Sequence, residues 1–527
     1  MFIEEVRRPY KGKVYTAVLL RKTYRENGKV KHKTLANLSA LPPETIDLIR
    51  RSLKGEVLVG ANEAFRIMSS RSHGGIWAVL KVAERLGLPR LLKDKLVLAM
   101  VIARVLKPGS KRFTAGWWHT TSLPSLLEIP ENLSVNTLYE SLDSLLKRQP
   151  AIERALARRH LSEGSLVLYD LSSTYLEGQC CPLAEYGYNR DGKRGKKQFT
   201  YGLLTNEEGC PVSVQAFAGN AADPSTVTSQ IEKLKEKFNF KRVVVVGDRG
   251  MITRTRIEEF QKAGYDWITA LRAKAIQRLH QQGLIQLTLF DEKDLAEIYD
   301  PDRLGERLVV CRNPLVAEER CRKREELLQA TEAQLAKVKS RVEKGRLKEP
   351  EAIALAVGRV IDRWKMAKHF DCAIQHGHFS YQRNEDSIRK EAVLDGVYVV
   401  RTSTSDMDAE KVVESYKSLR YVERAFRSMK TMHLELRPVF HRLEDRVRAH
   451  TFLCMLAYYV QWHMERDLAP LREENPREYG SLRLALERLQ AIQLNTVQVQ
   501  GQTFQQVTEP DSQQQRILQH LGVKTLV

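Results

Sequence analysis

The stretch Arg242–Met251, RVVVVGDRGM, sets four consecutive valines against an aspartate, an arginine and a glycine. A β-branched run without polar alternation reads as a strand buried on both faces, as in the middle of a parallel sheet. The aspartate at its tip, Asp248, is ordinarily a turn residue. It becomes a site only where other carboxylates reach the same place. Asp170 is the first candidate, because it closes a similar run, Leu166-Val167-Leu168-Tyr169, in SLVLYDLSST. In open α/β sheets, ligands gather at the carboxyl ends of the strands.

The segment joining these two runs supplies the rest of a sheet. KQFTYGLLTN and CPVSVQAFAG read as strands linked by a hairpin-type turn at Glu207-Glu208-Gly209. DPSTVTSQIEKLKEKF predicts a helix with Asp223 as N-cap and Pro224 at the first helical position. After RVVVVGDRGM come a helix, TRIEEFQKAG, and a strand, DWITAL. The resulting order, β-β-β-α-β-α-β, is that of the RNase H-like fold.

Around this core the chain divides by pattern into an α/β multidomain protein. Residues 1–60 alternate short β-like runs with a turn at Glu26-Asn27-Gly28, and 61–160 read as helical. The core's first part spans 161–275. Residues 276–402 read as an insertion, β-rich with a helical hairpin over 315–368. There Leu328, Leu335 and Val342 recur every seven residues, and Ile353, Val357, Ile361 and Trp364 form the returning stripe. Residues 403–475 resume the core, and 476–527 form a Gln-rich, weakly patterned tail.

Composition narrows the function classes. The 527 residues are 43% hydrophobic and 28% charged, as in globular chains. No run approaches the roughly 18 apolar residues of a membrane span, and the N-terminus lacks the apolar core of a secretory signal. Seven cysteines without a C-x-x-C pair predict a reducing cytoplasm, with neither a disulfide framework nor a cysteine zinc site. Lys and Arg number 85 against 65 Asp and Glu, a net charge of +20, which points to a polyanionic partner. Residues 1–60 alone carry 13 basic and 6 acidic residues.

A third carboxylate comes from AEKVVESYKSLRYVERAFRSMK, read as one helix from about 408 to 432. At about 100° per residue, Val412, Tyr416, Leu419, Glu423, Phe426 and Lys430 share an arc of roughly 80°. That places Glu423 and Lys430 on an apolar stripe, where an unpaired charge costs several kcal/mol. Two readings stand at this point. Glu423 and Lys430 form an ion pair or the lysine snorkels, or the carboxylate faces a metal and the lysine a phosphate.

YDLSSTYLEG, GNAADPST, VVVGDRGM and YKSLRYVERAFRSMK resemble, in order and spacing, the DDE transposases of bacterial insertion sequences. They are similar to the cut-and-paste branch whose last motif is Y-x2-R-x3-E-x6-K, here Tyr416, Glu423 and Lys430. Leu419 stands where that motif has arginine, with Arg420 one residue later. GKVKHKTLANLSALP near the start and LRPVFHRLEDRVRAHTFLCMLAYY after the glutamate extend the resemblance over most of the chain. In that branch a β-rich domain interrupts the fold before the glutamate. It would account for the 174 residues between Asp248 and Glu423, against 77 between Asp170 and Asp248.

The resemblance implies an enzyme that cuts and rejoins double-stranded DNA, at terminal inverted repeats and at a target. It implies a homodimer on paired ends, in a cytoplasmic, nucleoid-associated setting without membrane. Such chemistry is in-line attack on a phosphodiester, for which two Mg²⁺ ions about 3.5–4 Å apart, or Mn²⁺ in their place, stabilise the attacking and leaving oxygens. Asp170 is expected to bridge both ions, with Asp248 and Glu423 each completing one sphere. Tyr416 and Lys430 would grip DNA near the cut.

Basic loops fit that expectation. NRDGKRGKKQ offers Arg190, Lys193, Arg194, Lys196 and Lys197 to phosphates beside Asp170, and Arg249 adjoins Asp248. KPGSKR, followed by Trp117-Trp118, lies in the helical region at 61–160, the candidate for binding DNA ends. Aromatic core packing is an equal reading of that stretch. His376-Gly377-His378 has a metal pair's spacing but no third ligand nearby in sequence, and reads as structural. Three rivals remain for comparison. A haloacid-dehalogenase-type phosphatase expects an acid where Ser172 stands. The others are a metal-dependent RNase H-like nuclease that only hydrolyses and a DNA-binding regulator derived from a transposase.

Overall fold

The computed structural model describes residues 1–56, 65–178, 180–188, 190–192, 195–286, 290, 294–303, 305–499 and 501–524. It falls into two units, one from Met1–His73 with Ile492–Glu509, the other from Gly74–Ala491 with Pro510–Leu526.

The first unit begins with an antiparallel meander of β1 (Phe2–Tyr10), β2 (Lys13–Glu26) and β3 (Lys29–Asn37). Both turns have positive φ at their two central residues, Lys11-Gly12 and Asn27-Gly28, the condition for hairpin turns that match strand twist. A helix, Pro43–Leu53, follows. The unit's second sheet pairs β4 (Phe65–Ser72) with the strand Gln493–Val499, which in turn pairs with Gln502–Val507. The stretch read as helical thus opens on a strand. Its partner lies more than 400 residues away, so nothing local announces it.

The second unit is built on an eight-stranded sheet. Its strands are β5 (Leu166–Tyr175), β6 (Gln198–Asn206), β7 (Pro211–Ala218), β8 (Val244–Gly247), β9 (Asp266–Ala270), β10 (Leu295–Ile298), β11 (Arg307–Arg312) and, beyond the hairpin of β12 (Phe370–Gln375) and β13 (His378–Arg383), β14 (Val397–Thr402). The spatial order is β10-β11-β14-β9-β8-β5-β6-β7. β5, β8 and β9 run parallel, β6 runs antiparallel to β5, and β7 runs antiparallel to β6. Tyr169 fills the space over Gly202 across the β5–β6 pair, where an added Cβ would meet its Oη at 2.3 Å.

The insertion does two things. Its strands β10, β11 and β14 extend the main sheet, with β14 antiparallel to β9. Its helices Pro314–Glu343 and Pro350–Arg363 form the expected hairpin, closed by β12 and β13 over a core of its own that includes Leu328, Leu335, Val342, Ile353 and Val357. His376-Gly377 forms the turn of the β12–β13 hairpin, with His376 exposed.

One helix organises the packing beside the sheet. Glu444–Asp467 is buried nearly all round and packs on β7 and on the helices Val135–His160, Lys95–Leu106 and Gly74–Arg85. Each of its fully buried Phe452, Leu453 and Leu456 contributes about 1.5–3 kcal/mol of burial. A buried ion pair sits nearby: Lys233 Nζ lies 3.3 Å from Glu153 and donates to Ser213 Oγ at 2.8 Å. Glu153 also accepts from Gln149 and from the Val214 N–H.

Candidate active site

Asp170 lies inside β5, since the strand continues to Tyr175, and not at its end as the apolar run suggested. What does end there is the parallel partner. The β5–β8 register closes on Tyr169 opposite Gly247, so Asp170 and Asp248 are the residues that follow its last pair. Val243–Val246 are all buried, which fixes the strand that presents Asp248. The Asp248 carbonyl then accepts from the N–H groups of Met251 and Ile252, turning the chain immediately.

The third carboxylate arrives on a broken helix. Ala409–Lys417 and Leu419–Arg427 are separate helices meeting at Ser418, and the last turn, Ser428–Met432, is a π-helix. The break at Ser418 shifts the phase of the single straight helix expected from sequence ahead of Glu423, and the wider turn shifts it beyond Arg427. The buried stripe is therefore Val422, Ala425, Phe426 and Met429, and Glu423 is exposed beside it. Leu419–Arg427 packs on β5 and β6, and Ala409–Lys417 on β8, β9 and the strands of the insertion.

Electrostatics tie these groups together. Burial pushes the Asp170 carboxyl up to about 7; the Leu171 N–H, donating at 2.7 Å, opposes the rise, the charge on Asp248 adds to it, Arg190 opposes and Glu423 adds. The Tyr416 phenol is pushed up to about 12 by burial, then by Asp248, with Arg249 opposing and Asp170 and Glu423 adding. Asp170, Asp248, Glu423, Tyr416, Arg190 and Arg249 thus act on one another. Among the described residues the carboxylates of Asp248 and Glu423 make no hydrogen bond and no ion pair. Unpaired carboxylates gathered on a protein of charge +20 make an all-oxygen donor set that fits a hard divalent cation.

Lys430 stands apart. It is buried, and its ammonium donates to Asp191 Oδ1 at 2.8 Å, while Arg437 donates to Asp191 Oδ2 at the same distance. Burial pulls its pKa down, and Asp191 opposes the shift. The ion pair with Glu423 weighed from sequence is replaced by one with Asp191. Asp191 and Arg437 are the residues that sequence reasoning missed. The one available signal was a lone acid in the cationic loop NRDGKRGKKQ.

The loop cations are partly committed elsewhere. Arg190 pairs with Asp223, so that carboxylate caps no helix; the N-cap of Asp223–Glu232 is Ala222. Lys196 donates to both oxygens of Glu177 at 2.8 Å and lies over the Tyr175 ring. Lys197 and Arg249 are exposed. Lys193 and Arg194 lie outside the described residues. Arg420, beside the motif position held by Leu419, stacks on Tyr421. In KPGSKR, Lys111 is buried and pulled down to about 7 by burial and Arg104, and Trp118 is fully buried, which favours core packing there.

Comparisons with known proteins concern the same regions. The family model "Transposase DDE domain" matches residues 163–460, and "IS1634 family transposase, N-terminal domain" matches 3–63. No curated protein matches the chain. Among solved structures, a piggyBac transposase synaptic complex with hairpin DNA aligns at 8% identity and a TM-score of 0.34, over 70% of this chain and 65% of that one. A Mos1 transposase paired-end complex with the left transposon end aligns at 11% identity and a TM-score of 0.15, over 43% and 68%. The chain thus spans a little under two-thirds of the piggyBac chain's length.

Proposed function

The chain belongs to the DDE transposases of bacterial insertion sequences, whose DDE domain covers more than half of its 527 residues, and on that premise we propose that it binds the ends of its element and cuts and joins DNA there. The observation that carries the reading is the convergence of Asp170, Asp248 and Glu423 from two adjacent strands and a helix at the point where β8 ends. The order β7-β6-β5-β8-β9, antiparallel then parallel, supports an RNase H-like core for this reading.

In the proposed site Asp170, Asp248 and Glu423 hold two Mg²⁺ ions. Bound there, the ions supply Lewis-acid stabilisation to the attacking and leaving oxygens of an in-line displacement. The protein's own residues do the remainder. β5 and β8 fix two carboxylates in register, and the Phe426 side of the helix anchors the third. Tyr416, Arg249 and Lys197 present a phenol and two cations to the DNA backbone, and the basic residues of 1–60 add sequence-independent attraction. The active form is a homodimer on paired ends, with 61–160 contacting DNA ends and 276–402 acting as an insertion domain. It works in the cytoplasm on the nucleoid; no helix among the described residues is long and apolar enough to cross a membrane.

Cleavage of DNA carrying the element's ends, with Mg²⁺, tests the proposal in wild type and Asp248→Ala. Metal-dependent 3′-end cleavage and joining, both absent from the variant, is the expected result. Cleavage without joining would favour a nuclease, and cleavage surviving in Asp248→Ala would overturn the site.

A further inference from the structure

At the turn between β6 and β7, three segments distant in sequence meet. His160 ends the helix Val135–His160, Cys210 sits at the β6–β7 turn, and His463 lies on the helix Glu444–Asp467. One ligand atom from each falls within 4.8 Å of the other two. We propose that His160, Cys210 and His463 bind a zinc ion that staples these three elements together.

The donor set is specific: two imidazoles and one thiol match a borderline-soft, tetrahedral cation and not the magnesium proposed for the carboxylates. Each side chain is prepared for it. Cys210 is buried and free of any disulfide. The Nε2 of His463 is shut off from solvent and meets no hydrogen-bonding partner, a cost that a bound metal would relieve. His160 Nε2 lies 2.9 Å from the Tyr459 hydroxyl, which orients the ring and leaves its other nitrogen for a ligand.

Arginines surround the cluster, but each is engaged. Arg466 pairs with Glu208, Arg85 with Asp467, and Arg159 donates to the Leu86 carbonyl. Metal–nitrogen distances of about 2.1 Å and metal–sulfur of about 2.3 Å require the three ligand atoms to draw in by about 1 Å. On binding, the Cys210 S–H proton passes to solvent and a metal–thiolate bond replaces it. Two of the ligands sit on helices and the third on a hairpin, so the ion would tie the edge strand pair to the helical layer.

The test measures metal in the full chain by elemental analysis and titrates metal-stripped protein with Co²⁺, whose thiolate charge-transfer absorption reports a sulfur ligand. Wild type is expected to hold one zinc per chain and to show that absorption. Cys210→Ser and His463→Gln are expected to lose both, while Asp170→Asn keeps both. A melting temperature raised by Zn²⁺ in wild type alone would locate the ion in the folded state. The proposal is overturned if wild type binds neither metal, leaving a buried neutral imidazole cluster only. It is also overturned if Cys210→Ser, confirmed folded by circular dichroism, retains the cobalt absorption.

Discussion

The ammonium of Lys430 is bound to the carboxylate of Asp191 at 2.8 Å, across 239 residues of sequence, and Arg437 holds the same carboxylate from its other oxygen. Two cations are thereby bound by one acid drawn from the loop between β5 and β6. An anion with two acceptor oxygens is also what a DNA phosphate offers, so Asp191 occupies a place that a phosphate could take.

Asp191→Asn is therefore expected to tighten DNA binding and steepen its salt dependence, by a slope of about 1 for each cation freed. Loss of the charge-assisted pairing is expected to lower stability by about 1–3 kcal/mol. Filter or fluorescence binding across a salt series, with urea unfolding, measures both. Unchanged affinity and slope would show that the two cations do not meet DNA.

Asp170 predicts a pH effect with a definite sign. Its folded pKa, about 7, lies above the ordinary value near 3.8. The folded state therefore holds the proton more tightly. Stability from this group is full below the ordinary value and is lost as pH rises towards 7 and beyond. In EDTA, Asp170→Asn should melt a few degrees above wild type when the pH exceeds 7, with the gap closing as the solution is acidified. Equal melting curves at every pH would contradict the burial of this carboxyl, the first cause of its shift.

Gly202→Ala should cost about 1–3 kcal/mol, because the added Cβ lands 2.3 Å from Tyr169 Oη. Tyr169→Phe removes that oxygen, and the double variant should recover part of the loss. Chemical denaturation of the three variants decides it. Additive losses would mean that the ring moves aside freely.

Lys233→Met strands Glu153 among buried groups and should cost about 3–5 kcal/mol. Pairing it with Glu153→Leu removes the orphaned charge, so the double variant should be markedly more stable than Lys233→Met alone. Urea midpoints measure the difference.

Much of this arrangement is visible in the sequence wherever the information is local. The apolar runs ending at Tyr169 and Gly247, the hairpin turn at Gly209 and the seven-residue repeat of Leu328, Leu335 and Val342 each announce their element within a short window. Parallel pairing of β5 and β8 then places Asp170 beside Asp248 without further information. What periodicity misses depends on phase or on distance. A break at Ser418 resets the phase of the helix that carries Glu423, which is exposed beside the buried Val422, Ala425 and Phe426. Partners such as Asp191 for Lys430, or Gln493–Val499 for β4, lie hundreds of residues away, and only the folded chain joins them.

β14 has a consequence for how the chain is made. It covers the side of β9 through Val400–Ala270, Arg401–Thr269 and Thr402–Ile268. During synthesis β9 leaves the ribosome some 130 residues before β14, and Glu423 later still. Until then the growing polypeptide exposes an open sheet edge, a template for mispairing with neighbouring chains. It also carries only two of the three carboxylates proposed to hold metal, so a nascent or truncated product that stops within the insertion would be prone to aggregate and, on the proposed function, unable to cut.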